Sequence, residues 1–145
     1  MALATGCAMQ SGPKFPQPSP GYTPSRVLAA SFEKVWKAVS DTLDNNRIAV
    51  VSADAAAGRI QTDCIAGPET TYNAFLGGVG TSRYSFNIKV SRQDNGTVKL
   101  LIIGKLEQTL HGGQTATPYR DITPQNQAIV TNLENWLYEQ IEKGL

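Results

Sequence analysis

Tyr84-Ser85-Phe86-Asn87-Ile88-Lys89-Val90, then Gln93-Asp94-Asn95-Gly96, then Val98-Lys99-Leu100-Leu101-Ile102-Ile103, is the stretch that decides the fold of this chain. The first run alternates apolar and polar side chains without a break, the period of a strand with one dry face and one wet face. Asn95-Gly96 supplies the positive φ angles that favoured hairpin turns require, so the flanking runs are expected to pair as antiparallel neighbours. The return run, residues 97–106, is apolar on both faces in its middle. That predicts cover on its second face by something other than a helix.

Working outward, two more strands are expected at residues 48–53 and 59–65, joined by a turn through 54–58, and a short apolar edge strand at 26–30. Ser31 is placed as an N-cap, with Glu33 in the first turn where the helix dipole favours a negative charge. Phe32, Val35, Trp36, Val39 and Leu43 then fall on one helical stripe, with Lys34, Lys37, Asp41 and Asp44 opposite. Asn45 and Asn46 tolerate left-handed geometry and are expected to end this helix. Near the carboxyl terminus Thr123 caps and Pro124 opens a second helix, whose stripe is Ile129, Leu133, Trp136, Leu137 and Ile141 and whose end is Gly144. Both tryptophans are expected in the core. The order implies an α+β domain over residues 26–145: an antiparallel sheet of four to five strands with two helices on one face.

The 145 residues suffice for one domain, and 41% hydrophobic residues is an ordinary share for a globular core. With a formal net charge of +1 and charges scattered along the chain, there is no electrostatic reason to expect nucleic acid or an acidic membrane surface as the main partner. No apolar run approaches the roughly 20 residues of a spanning helix.

The amino-terminal segment points to the membrane by another route. Leu3-Ala4-Thr5-Gly6-Cys7 resembles a bacterial lipobox, in which small residues precede a cysteine whose thiol takes up the lipid. Ala4 stands where such a box usually has leucine. Six residues before Cys7 are fewer than a secretory signal needs, so residues 1–6 are read as the remnant of one. A cysteine in the leader of a soluble protein is the competing reading. Residues 7–25 hold Pro13, Pro16, Pro18, Pro20 and Pro24 among Gly and Ser, a composition that favours an extended tether over a packed core. At about 3.1 Å per residue such a tether reaches on the order of 50 Å.

Val35-Trp36-Lys37-Ala38-Val39, Asn46-Arg47-Ile48-Ala49-Val50-Val51, Ala57-Gly58-Arg59-Ile60-Gln61-Thr62 and Asn132-Leu133-Glu134-Asn135-Trp136-Leu137 together resemble the helix-grip domain of BamC-like lipoproteins. The resemblance rests on spacing and apolar positions over residues 27–145. It implies a periplasm-facing, lipid-anchored protein of the outer membrane, a scaffold or accessory in β-barrel protein assembly with envelope protein partners. Members of that family carry two such domains, and one is evident here.

No catalytic constellation emerges. His111, the only histidine, lies in what reads as a polar loop and makes no standard zinc spacing with Cys7 and Cys64. Cys64 reads as a small buried hydrophobe in a strand. Gly77-Gly78-Val79-Gly80 lacks the Lys-Ser/Thr ending of a phosphate loop and reads as a loop tip. Neither a metal, a cofactor nor a nucleic acid is expected, and the chain is expected not to be an enzyme. The segment 67–82 is long for a connection and carries Tyr72, Phe75, Leu76 and Val79. It is either a partner-binding loop or a flap folded back over the sheet edge. A cavity between helix and sheet, if lined by apolar groups, would instead favour a lipid or other small apolar ligand.

Overall fold

The computed structural model describes residues 25–66, 70–73, 78–112, 115–116 and 118–145, with backbone only at 70–73, 78–79, 110–112 and 115–116. Its centre is the expected hairpin, longer than its alternating segment. Strand β6 (Gly78–Arg92) and strand β7 (Val98–Gly112) pair from Val79↔His111 to Arg92↔Val98. The turn between them donates Gly96 N–H to Gln93 C=O and Gln93 N–H to Thr97 C=O. Only Gly96, at φ +81°, takes up the left-handed conformation, so the turn uses one positive φ where the Asn-Gly signature predicts two.

Shorter strands line both sides of this ribbon. Along one side of β6 come β3 (Arg59–Thr62), β4 (Ile65–Ala66) and β5 (Thr70–Asn73), and β3 carries β2 (Val50–Asp54) at the sheet edge. Along the free side of β7 come β1 (Ser25–Leu28), β9 (Arg120–Asp121) and β8 (Thr115–Ala116). All pairings are antiparallel, and the main path runs β1-β7-β6-β3-β2. The expectation of a long loop over 67–82 is thereby corrected, since β5 and the start of β6 form a second hairpin within it. Gly78 and Gly80 are strand residues, and so is His111, paired with Ala116.

Helix α1 (Phe32–Asn45) and helix α2 (Gln127–Lys143) cover one face of the sheet, as expected for the α+β class. Ser31 caps α1, its Oγ accepting the Lys34 N–H at 3.2 Å. The left-handed residue after α1 is Arg47 at φ +56°, not Asn45 or Asn46. Thr123 and Pro124 open a short 3₁₀ turn, Thr123–Gln125, and α2 begins after it. Val35, Val39 and Leu43 of α1 meet Leu137, Tyr138 and Ile141 of α2 over Ile60, Phe86, Ile88, Leu100 and Ile102 of the sheet. Trp36 and Trp136 flank this core, half-buried.

The buried side of α2 differs from its apolar stripe. Ala128, Val130, Glu134, Leu137, Tyr138 and Ile141 face inward, whereas Ile129, Leu133 and Trp136 are half-buried. The cause lies in the sheet. Between the reach of β1 and that of β9, residues 102–106 of β7 have no strand partner on their free side among the described residues. Their N–H groups are met by side chains instead: Ile102 donates to Tyr138 Oη at 2.8 Å, Gly104 to Glu134 Oε2 at 2.7 Å, and Leu106 to Thr123 Oγ1 at 2.9 Å. Donors two residues apart on a strand lie about 6.8 Å apart, and acceptors four apart on a helix about 6 Å. The two periods match closely enough for the helix to finish the sheet's hydrogen bonding.

Candidate partner-binding cleft

At the opposite sheet edge the chain builds a half-open cleft of about 330 Å³ between the end of α1 and strand β2. Its construction begins with the reversal after the helix. Arg47 in left-handed geometry lets Ile48 N–H reach the Leu43 carbonyl at 2.8 Å, which turns Ile48 inward beside Leu43. Leu43, Ile48 and Ile60 form the apolar floor, all buried. Ser40 and Asp44 of α1 line one side, and Val50 and Ala53 of β2 the other.

Val50 and Ala53 are three apart and in a regular strand would point to opposite faces. The register between β2 and β3 shifts between Val50 and Ser52, so one extra residue, Val51, is accommodated in a bulge. That shift brings both Val50 and Ala53 to the cleft side. Val51 is left two-thirds exposed, at 66%.

Strand β2 ends the sheet, and all five of its residues are exposed. Among the described residues no strand pairs with its outer side, so a row of backbone donors and acceptors faces outward beside the apolar cleft. Asp44 puts an acidic group on the rim; Asp54, at the strand end and turned to the other face opposite Arg59, accepts the Ala57 N–H at its Oδ1 and so braces the β2–β3 turn. The periodicity of residues 48–53 identifies a strand but not an edge, and the bulge leaves no mark in the pattern. The exposed pair Val50-Val51 is the only signal of it that the sequence carries.

The sequence-predicted positions lie elsewhere. Cys7, Phe75 and Leu76 fall outside the described residues. Tyr72 stands in β5, and Val79 in β6 pairs with Thr71 and His111, so the backbone places both on the outer part of the long hairpin, away from the cleft. Cys64 is free and half-buried in the break between β3 and β4, its N–H held by Asp63 Oδ1 at 2.7 Å. Among the described residues no three of His, Cys, Asp and Glu are grouped to hold a metal ion, and no helix is long and apolar enough to cross a membrane.

The helix–sheet interface itself is closed. Phe86, Ile88, Leu100 and Ile102 on the sheet and Val35, Val39 and Leu137 on the helices have no exposed surface. Among the described residues, the edge cleft offers space for a ligand and the centre of the sandwich does not. No protein-family model matches the chain, and a comparison with curated proteins finds no match.

Proposed function

We propose that this chain is a non-catalytic lipoprotein of the bacterial envelope, tethered to the outer membrane through Cys7, whose domain captures an extended segment of a partner protein along β2. The observation that carries this reading is the bulged, fully exposed edge strand beside an apolar cleft. Strand addition supplies affinity through main-chain hydrogen bonds, and a pocket beside the edge selects one side chain of the incoming strand. The cleft suits an apolar side chain, and the acidic rim at Asp44 suits a basic neighbour. Capture of extended segments is what a scaffold in barrel-protein assembly would need, and the resemblance to BamC-like lipoproteins supports that setting.

A photo-crosslinking residue at position 52, exposed on the same strand, in the protein expressed with its native export signal, tests the proposal. It is expected to capture an envelope protein, and Val51→Lys or Ala53→Trp is expected to abolish capture with the melting temperature unchanged. Equal capture from Lys34, on the exposed face of α1, would overturn it. Mass spectrometry of the native protein checks the anchor separately: an unmodified Cys7 would remove the lipoprotein half of the reading and leave the edge half standing.

The volume of the cleft also supports a small apolar ligand or acyl chain, since about 300 Å³ is the lower bound of typical ligand sites. The two readings separate cleanly. Ala53→Trp blocks both, whereas Val51→Lys obstructs a strand and leaves a ligand on the Leu43–Ile60 floor untouched.

A further inference from the structure

The sheet face turned away from the helices has a composition that neither the net charge nor any one stretch of sequence displays. Strand register places Asp54 opposite Arg59, Arg59 opposite Lys89, and Lys89 opposite Leu101, in one row across the sheet. The neighbouring rows hold Asn87 opposite Ile103, and Ser91 opposite Lys99 opposite Val27. Lys105 follows one row beyond Ile103. Four cations therefore surround three apolar side chains. Val27 is 64% and Ile103 48% exposed, and Leu101 is half-buried. Over Val27, Leu101 and Ile103 this face has no close cover among the described residues, whereas farther along Tyr119 lies over Arg83.

Two further features set this face apart. Arg59 and Lys89 are directly opposed like charges, an arrangement that destabilises a sheet. Asp54, across from Arg59, offsets part of this, but among the described residues no carboxylate closes to an ion pair with Arg59, Lys89 or Lys99, and Lys105 has Glu107 at 3.6 Å. The helical layer is the reverse. Helices α1 and α2 carry Glu33, Asp41, Asp44, Glu134, Glu139 and Glu142 against only three lysines. A chain of net charge +1 thus sorts its charge between its two layers.

We infer that the bare face of the sheet docks on an anionic lipid bilayer. Lysine and arginine near an anionic surface are each attracted to it, and apolar side chains between them gain by entering the boundary between headgroups and acyl chains. A nucleic acid would be served by the cations, but it would find no aromatic ring to stack on in these rows. This inference is independent of the cleft and of the lipid at Cys7. It leaves β2 and the cleft on the other side of the sheet margin free for a partner.

The test uses the full chain carrying Cys7→Ser, so that no acyl chain contributes. Sedimentation with phosphatidylcholine vesicles is compared with sedimentation with vesicles about one-third phosphatidylglycerol, where each lysine or arginine at the surface is worth about fivefold in partition. Binding is expected to the anionic vesicles only, and to weaken with salt. Lys89→Gln with Lys99→Gln is expected to lower it about 25-fold, and Arg59→Gln with Lys105→Gln similarly. Ile103→Ser is expected to lower it with all charges retained. Lys34→Gln with Lys37→Gln, the same charge change on α1, is expected to leave it unchanged. These side chains are exposed, so circular dichroism is expected to report a native fold for each variant. Equal loss from the α1 pair, indifference to Ile103→Ser, or binding to single-stranded DNA without binding to vesicles would each overturn the inference.

Discussion

The Gly104 N–H donates to Glu134 Oε2 at 2.7 Å, so a carboxylate on helix α2 takes the place of a neighbouring strand on the open side of β7. A buried acid in that position satisfies a backbone donor but carries a desolvation cost when ionised. Burial raises the Glu134 pKa above its ordinary 4.5, with the Gly104 hydrogen bond opposing in part. The folded state therefore holds the Glu134 proton more tightly than the unfolded chain. The stability this contributes is fully present below the unfolded value and is lost as pH rises through the raised one.

Glu134→Gln is consequently expected to keep the acceptor for Gly104 while removing that pH dependence. Urea unfolding between acid and neutral pH should show the gap between wild type and Glu134→Gln moving in the variant's favour as pH rises. Glu134→Ala should instead lose about 1–3 kcal/mol, the cost of an unmet buried N–H. If wild type and Glu134→Gln track each other across this range, the carboxylate is not desolvated as described.

Tyr138→Phe removes the acceptor for the Ile102 N–H, while the ring still packs in the core and under the Arg26 guanidinium 4.6 Å away. The expected loss is about 1–3 kcal/mol by chemical denaturation. Amide exchange at Ile102 should accelerate more than exchange at Leu100, whose side of β7 is covered by β1.

Gly58 closes the β2–β3 turn at φ +68°, and its carbonyl accepts the Val90 N–H at 2.8 Å. A Cβ at this position would lie 2.1 Å from the Val90 carbonyl oxygen. Gly58→Ala therefore combines left-handed strain with a backbone collision. It is expected to cost more than the roughly 1 kcal/mol at which an uncrowded left-handed residue begins. A melting temperature within a degree or so of wild type would contradict the close approach of the two strands.

Arg83 is a charge on the outer sheet face that is not exposed. Its side chain is 3% accessible, its Nε donates to Glu107 Oε1 at 3.1 Å, and its guanidinium carbon lies 3.8 Å from the centre of the Tyr119 ring. Glu107→Ala is expected to destabilise the domain by about 3 kcal/mol, the low end for a broken buried pair, because the ring face continues to attract the cation. Removing both charges together, as Arg83→Met with Glu107→Leu, should cost less than Glu107→Ala alone. A double-mutant thermal series measures the difference.

Residues whose period and chemistry agree were legible before folding. Phe32, Val35, Val39 and Leu43 after a serine cap specify α1, and the alternation from Tyr84 to Val90 before Asn95-Gly96 specifies the hairpin. Where chemistry and burial disagree, the pattern misleads. Glu134 and Tyr138 lie outside the apolar stripe of α2, yet they face inward because β7 has donors there to be met. The glycine-rich run 77–80 reads as a loop tip, yet Gly78 pairs with β5 and Val79 and Gly80 pair on both sides, and pairing partners are not encoded locally.

The sequence by itself determined the two helices, the central hairpin and the α+β class, since those follow from periodicity and turn chemistry acting over a few residues. Tertiary structure alone decided which strand is the edge, how a bulge at Val51 turns Val50 and Ala53 into one cleft, and that Arg59, Lys89, Lys99 and Lys105 share one face. Charges this far apart along the chain become one surface only through strand register, and register is set by the burial of the opposite face.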